Sequence, residues 1–257
     1  MTNLEELAQH AATMAKTIVP TALSHFRGEL GVEFKSDESP VTQADKAVEA
    51  DVRAYLSKHF PEHGIFGEEE GMDLKDSAHL WVIDPIDGTR SFLSGNPLFG
   101  FLLAHLIDGR VEIGVIGMPA LGEVFIGVRG TGARLNDAPV SVSAQRDLSK
   151  SVLYVNEGDK IYHNHPEVFA RLMQAGQTRR MAYDCYPHAL LAMGHVDVVV
   201  DYDLQPYDYL AVSAVIEAAG GIMTDWSGAP LTLESDGRVV SAATPELHAQ
   251  ILKVLND

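Results

Sequence analysis

One cysteine, Cys185, stands alone among 257 residues, so no disulfide can form within the chain, and a reducing compartment suits it. Basic residues are scarce too. Lys and Arg number 19 against 36 Asp and Glu, for a net charge of −17, which disfavours a nucleic-acid backbone as partner and is compatible with cation binding. Much of that charge serves as solvated surface. No apolar run approaches the roughly 18 residues of a membrane span, and the opening Met1-Thr2-Asn3-Leu4-Glu5-Glu6 lacks the basic start of a secretory signal. The expectation is a cytoplasmic protein with no membrane partner. Internal repeats and low-complexity segments are also missing. With 46% hydrophobic residues the chain can bury a full core, as one large domain or two small ones.

What is present is a succession of short regular elements. Leu4, Leu7, Ala8, Ala11, Met14, Ala15 and Ile18 recur at helical spacing, predicting an amphipathic helix bent near Pro20. An extended piece from Val32 to Lys35, a polar loop from Ser36 to Pro40 and a second helix from Thr42 to about Phe60 follow. Gly64 to Gly67 is a brief apolar stretch, and residues 71–78 are expected to form a loop. The runs Phe99 to Ile107, Val111 to Met118 and Val124 to Val128 are separated by Asp108-Gly109 and Pro119-Ala120-Leu121-Gly122, which predicts an antiparallel meander. The glycine-rich segment from Gly127 to Gly132 opens no helix, so it reads as hairpin turns and not as a phosphate cradle. A polar stretch from Pro139 to Lys150 suggests two subdomains, an N-terminal α+β unit over residues 1–145 and a C-terminal α/β unit over 146–257. In the second half, strands at Val152 to Val155, Val196 to Val200 and Val239 to Ala242 alternate with helices at Glu167 to Gln174, Pro187 to Met193, Tyr207 to Ala219 and Pro245 to Leu255. That is the pattern of a sheet with helices on both faces.

The chemistry concentrates in Leu80-Trp81-Val82-Ile83-Asp84-Pro85-Ile86-Asp87-Gly88-Thr89. An apolar strand breaks off there into two carboxylates, and ligands in open α/β folds collect where strands end. Asp84 and Asp87 can converge on hard cations, with the Ile86 carbonyl free to add an oxygen. Gly88 lets backbone N–H groups approach a phosphate oxygen. The plainer account is a turn, since Asp-Pro and Asp-Gly are ordinary turn formers.

Together with Gly67-Glu68-Glu69, and with Pro206-Tyr207-Asp208 followed by small residues to Ala219-Gly220-Gly221, the segment from Trp81 to Thr89 resembles the inositol monophosphatase superfamily in order and spacing. The resemblance implies an α/β (α+β) layered sandwich with alternating helix and sheet layers. It further implies a metal-dependent phosphatase acting through an attacking water, inhibited by lithium and dimeric by family habit. Glu68, Asp84 and the Ile86 carbonyl are implied as ligands of a first metal, and Asp84, Asp87 and Asp208 of a second. These are all oxygen donors, so two or three Mg²⁺ are expected and Zn²⁺ is not. Thr89 and Asp45 are implied as the pair that orients and deprotonates the water, and Glu69 as an outer or third-metal residue. The polar loop from Lys35 to Asp45 is expected to close over substrate and offer a third metal position, with Lys35 neutralising phosphate or anchoring the loop. Plainer accounts are a first-turn helix acid for Asp45, a solvated acid for Glu69 and an exposed lysine for Lys35.

The substrate side is read from Gly88, Thr89, Asp184, Asp201 and Asp208. Counting back from Asp208 without a gap, Asp201 falls where inositol phosphatases carry a substrate-facing acid and Asp184 where they carry a small residue. An extra carboxylate favours a cationic leaving alcohol over a neutral polyol, by roughly 1 kcal/mol or more. Asp184-Cys185-Tyr186, with the segments Gly88 to Phe92 and Pro97 to Gly100, resembles the histidinol-phosphatase branch, whose substrate carries an ammonium and an imidazole. That resemblance implies conversion of histidinol phosphate to histidinol in histidine biosynthesis. Inositol monophosphate, or a broader set of sugar and nucleotide phosphates, is the alternative. In the plainer account Asp184 and Asp201 are loop and strand-end acids.

Other chemistries fit less well. A cysteine phosphatase needs arginine six residues after Cys185, where Leu191 stands, and an aspartyl-phosphate enzyme needs Thr or Val where Gln205 follows Asp201 and Asp203. His163-Asn164-His165 alternates like a chelate but has no third ligand nearby, so an exposed loop is expected. His188 and His195 are expected to be structural, with His188 close enough to Asp184 to border a pocket. From a different class, an inactive phosphatase-like regulatory subunit is the remaining reading, and the presence of every expected ligand speaks against it.

Overall fold

The computed structural model describes residues 4–28, 32–34 and 40–257. The expectations for Lys35 and the loop from Ser36 to Ser39 lie outside the described residues. The opening stripe forms α1 (Leu4–Thr17), burying Leu7, Ala8, Ala11, Met14 and Ala15, and the chain bends before α2 (Val19–His25), where Pro20 occupies the first turn. β1 (Val32–Phe34) and β2 (Pro40–Thr42) pair antiparallel. Thr42 then caps α3 (Gln43–His59) in a reciprocal box with Asp45.

The first large sheet follows from β3 (Gly64–Gly67), β4 (Gly71–Asp73) and β5 (His79–Asp87). After the short α4 (Thr89–Leu93) come β6 (Gly100–Ile107), β7 (Arg110–Met118), β8 (Glu123–Val128), β9 (Gly132–Leu135) and β10 (Ala138–Val140). Their order is β10-β9-β8-β7-β6-β5-β3-β4, antiparallel except for β3 beside β5. The predicted meander is β6-β7-β8. Residues 71–78, expected as a loop, contain β4.

A 3₁₀ turn, Leu148–Lys150, leads into β11 (Val152–Asn156), α5 (Gly158–Asn164), α6 (Pro166–Leu172), β12 (Thr178–Ala182), α7 (Tyr186–Ala192), β13 (Val198–Asp201), α8 (Pro206–Ala218), β14 (Ile222–Asp225), β15 (Val239–Ala242) and α9 (Pro245–Asn256). The second sheet runs β12-β11-β13-β15-β14 and mixes parallel with antiparallel pairs. His163 and Asn164 end a helix instead of lying in a loop. β12 escapes a reading by pattern because it is an edge strand, exposed from Thr178 to Met181 and without apolar alternation.

Three hydrophobic clusters make this a layered sandwich. One joins α1 and α3 to one face of the eight-stranded sheet, a second joins its other face to α7 and α8, and a third joins the five-stranded sheet to α5, α6 and α9. Helix α8 lies flush on the larger sheet. A Cβ at Gly114 would sit 2.1 Å from the Ala211 carbonyl oxygen, and one at Gly127 would sit 2.5 Å from the Val215 Cα. Only glycine permits that approach, and α8 carries Asp208 at its first turn.

Candidate active site

β5 is buried continuously from Trp81 to Asp87 because it lies inside the sheet and is covered on both faces. On a regular strand residues three apart point to opposite faces. Here the pairing with β6 slips between Asp84, opposite Leu102, and Asp87, opposite Gly100. Three steps on β5 answer two on β6. This one-residue bulge at Pro85-Ile86 undoes the alternation and brings both carboxylates to one site. The Ile86 N–H donates to Asp84 Oδ1 at 3.0 Å, fixing the turn from within.

Two further segments complete the cluster. Asp208 is the third residue of α8, locked by a capping box in which the Gln205 N–H donates to its Oδ2 at 2.7 Å. Oxygens of Asp84, Asp87 and Asp208 all lie within 4.8 Å of one another. The Glu68 N–H donates to the Ile83 carbonyl at 3.1 Å, carrying the β3–β5 pairing one residue further and setting Glu68 beside Asp84. Burial raises the Asp84 carboxyl well above its usual range, with Glu68, Asp87 and Asp208 adding to the effect. Asp87 is raised by burial and then by Asp184 and Asp208, although its oxygen accepts the Cys185 N–H at 2.6 Å. Asp208 is pushed up to about 7, by burial first and with Glu68 adding, against the bond from Gln205.

Such crowding of buried like charges is the condition a divalent cation relieves. The donors are all oxygens, with the Ile86 carbonyl within 3.3 Å of the Thr89 hydroxyl beside them, so the set fits a hard ion such as Mg²⁺. Thr89 Oγ1 also donates to Asp45 Oδ1 at 3.1 Å. Asp45 is fully buried on α3, its Oδ2 accepting from the Thr42 N–H at 2.8 Å and from the Thr42 hydroxyl. Burial raises its carboxyl and these bonds oppose the rise. Asp45 is thus both the first-turn acid of the plainer account and a partner of Thr89.

The other side of the turn carries Gly88, in the left-handed region at φ 82°, where a Cβ would lie 2.4 Å from the Asp184 carboxyl carbon. Asp184 Oδ2 accepts from Ser91 Oγ at 2.5 Å, and the carboxyl is raised to about 6 by burial, Glu157 and Asp201 adding and Ser91 opposing. Asp201 is engaged at both oxygens: Oδ2 lies 2.7 Å from the Asn156 amide nitrogen and 3.1 Å from His188 Nε2, and Oδ1 accepts the Tyr202 N–H at 2.8 Å. One small cavity is lined by Asp87, Asp184, His188, Asp201 and Asp208. It joins the carboxylate cluster to the substrate-side acids. His188 is buried and also bonded to Ser241.

Glu49 is a residue that the sequence reading passed over. It is fully buried on α3, and its oxygens accept the N–H groups of Glu69 at 2.8 Å and Glu70 at 3.0 Å, so it holds the turn that carries Glu68 and Glu69. A Cβ at Gly67 would fall 2.1 Å from Glu49 Oε1. The signal was available, because Glu49 lies on the same α3 face as Ala44, Asp45, Val48, Val52 and Leu56, all buried.

Comparison with known proteins decides the family, since the inositol monophosphatase family model matches residues 3–257. The chain belongs to the inositol monophosphatase family. Members of this family are metal-dependent phosphatases. The chain is 39% identical over 235 residues to a protein of Chlorobaculum parvum named histidinol-phosphatase, covering 90% of each. It is 35% identical over 263 residues to the bifunctional phosphatase IMPL2, chloroplastic, of Arabidopsis thaliana, covering 99% of this chain and 76% of that one. A solved inositol monophosphatase from Zymomonas mobilis superposes with a TM-score of 0.89 at 33% identity, covering all of both chains. The fold of this inositol monophosphatase family chain is therefore shared along its whole length. No described helix is long and apolar enough to cross a membrane.

Proposed function

We propose that the chain is a Mg²⁺-dependent phosphomonoesterase whose preferred substrate has a positively charged leaving alcohol, histidinol phosphate before inositol monophosphate. The observation that carries this reading is the cavity in which Asp184 and Asp201 stand with Asp87 and Asp208. A cationic alcohol leaving from the phosphate site meets acids there, where a neutral polyol gains less. The histidinol-phosphatase of Chlorobaculum parvum, 39% identical, supports the same choice.

Glu68, Asp84, Asp87, Asp208 and the Ile86 carbonyl would hold the cations, which when bound supply charge neutralisation and Lewis-acid polarisation. The chain's own residues then handle the proton. Thr89 points its hydroxyl hydrogen at Asp45 Oδ1, so its oxygen lone pairs are left to accept a hydrogen from the attacking water. As the water loses a proton to Thr89, the Thr89 proton passes to Asp45, whose raised carboxyl makes it a competent acceptor. The route forms no phosphoenzyme. Cys185 is not a rival nucleophile, because burial and Asp87 push its thiol well above the usual range.

Asp184, with one described bond from Ser91, is better placed than the fully engaged Asp201 to meet a substrate cation. Replacing it therefore separates the two substrates. With Mg²⁺, Asp184→Ala is expected to raise KM for histidinol phosphate about tenfold and to change that for inositol phosphate about twofold or less. Equal effects overturn the cationic preference. Failure of the unmodified protein to release phosphate from either ester overturns the enzymatic reading. Lithium inhibition and a homodimer in solution belong to the same proposal, checked by rate assays with Li⁺ and by light scattering.

A further inference from the structure

At the end of β5 opposite the carboxylates, three imidazoles from separate stretches meet. His79 opens β5, His105 lies on β6 opposite Trp81, and His63 sits in the turn between α3 and β3. A ring nitrogen of each lies within 4.8 Å of those of the other two. His79 Nδ1 and His105 Nε2 are 3.1 Å apart and their ring centres 5.2 Å, while the centres of His63 and His105 are 5.7 Å apart. Two imidazoles on one tetrahedral ion, with metal–nitrogen distances of about 2.05 Å, hold their nitrogens about 3.3 Å and their ring centres about 5.2 Å apart. Two of the three pairs already stand near the spacing of co-ligands. The third pair does not. His63 stacks on His79 with centres 4.3 Å apart and planes 5° from parallel, so His63 must swing. It is half-buried, and an ion would replace two hydrogen bonds, the one from the Trp81 indole to His63 Nδ1 at 3.1 Å and the one between His79 Nδ1 and His105 Nε2.

A second observation sets this cluster apart from ordinary aromatic packing. His105 is completely buried, its Nε2 bonded to His79, yet its other ring nitrogen, Nδ1, has no hydrogen-bond partner among the described residues. A buried polar nitrogen without a partner is destabilising, and a phenylalanine would fill such a stack without that penalty. Burial, then the other rings, also hold His63 down to about 4 and His105 to about 3, so both are neutral near pH 7, the form that ligates metal.

We propose that His63, His79 and His105 form a second metal site, for Zn²⁺ or a similar borderline ion such as Ni²⁺ or Cu²⁺, apart from the carboxylate centre. Three nitrogen donors select these ions over Mg²⁺. Five residues of strand separate His79 from Asp84, about 17 Å at 3.3 Å per residue, so the two centres cannot share an ion. His63 and His79 are half-buried, which leaves an entry path and a fourth position for water. Binding ties the turn before β3 to β5 and β6, and this end of the sheet gains stability by mass action.

The test is to titrate the protein with Zn²⁺ in excess Mg²⁺, which competes at the hard-oxygen centre, and with Co²⁺ as a visible reporter. One Zn²⁺ per chain and the absorption of a four-coordinate nitrogen-bound Co²⁺ are expected. Both should weaken by about tenfold or more in His63→Gln and His79→Gln, while Mg²⁺-supported phosphate release stays within about twofold of the parent. These two positions are chosen because His105 is at the core. Zn²⁺ affinity and stoichiometry unchanged in the His63→Gln/His79→Gln double variant would overturn the site. So would a Zn²⁺ equivalent that disappears with Asp84→Asn alone.

Discussion

The two ends of β5 bury titratable groups of opposite kind, and burial acts on them in opposite directions. At the carboxylate end it favours the protonated acid, with Asp208 raised to about 7 and Asp184 to about 6. At the imidazole end it favours the unprotonated ring, with His63 and His105 lowered to about 4 and about 3. Desolvation favours the neutral form in both places. What differs is the neighbour. The carboxylates repel one another from the turn after β3, from β5 and from α8, and only a cation or a proton relieves them, whereas His63 and His105, lowered by burial and then by neighbouring rings, are neutral near pH 7 and carry no charge to repel. A strand can thus hold one end crowded with charge that calls for a hard cation, while the neutral rings at its other end suit a softer one.

Removing the central charge of the acidic end breaks the comparison most severely. Asp84→Asn should lower phosphate release by about a thousandfold or more, within the range lost when a positioned ionic group is deleted. The same change should raise the melting temperature in chelator, since Asp84 is the carboxylate that Glu68, Asp87 and Asp208 all repel. A lower melting temperature in chelator would mean that the carboxylate is held by hydrogen bonds, as Asp45 is, and not crowded.

The pH dependence of stability sharpens the same contrast. Asp208 and Asp184 have folded pKa values above the ordinary 3.8, so between about pH 4 and 7 the folded chain binds more protons than the unfolded one. Their contribution is present at about pH 4 and is lost as pH rises through 6 to 7. His63 and His105 fall below the ordinary 6.5, so there the unfolded chain binds more protons. Their contribution is present above about pH 6.5 and is lost on acidification. In chelator the two trends oppose one another. Thermal melts from pH 4.5 to 8 should show a rising curve for Asp208→Asn and a falling one for His63→Phe, each departing from the parent by on the order of 2 kcal/mol. Parallel curves for all three proteins would remove the contrast.

How much of this was legible in the sequence depended on whether the determinant was local. The opening stripe, the second helix, the meander and the strand that carries Asp84 and Asp87 are written in spacing and turn chemistry, and they lie where those signals put them. The bulge at Pro85-Ile86 was not legible, since it exists only against β6, although without it Asp84 and Asp87 would face apart. Nor could Gly114 and Gly127 be read as the seat of α8, because nothing near them in sequence names the helix that approaches. The imidazole cluster hid for the same reason: His63, His79 and His105 are spaced at no recognisable interval and are joined only by pairing within the sheet.

Glu49 gives the finest test, because it is a buried carboxylate of the opposite character, compensated on every side. It accepts from the N–H groups of Glu69 and Glu70 and from Arg53 Nε at 2.8 Å, while Arg53 also reaches the Gly71 carbonyl. Its charge is answered locally, so its effect on the metal centre runs through the backbone that carries Glu68. In Glu49→Gln only one side-chain oxygen remains to accept, and one of the two N–H groups is left unpaired at a cost of about 1–3 kcal/mol. The turn should loosen and the Mg²⁺ concentration for half-maximal rate should rise about five- to tenfold, with kcat recovering at saturating Mg²⁺. A kcat that stays low at saturation would instead place Glu49 among the groups that act on the reacting atoms. Unchanged Mg²⁺ dependence would show that the turn is held without it, and that compensated and uncompensated carboxylates differ less than their surroundings suggest.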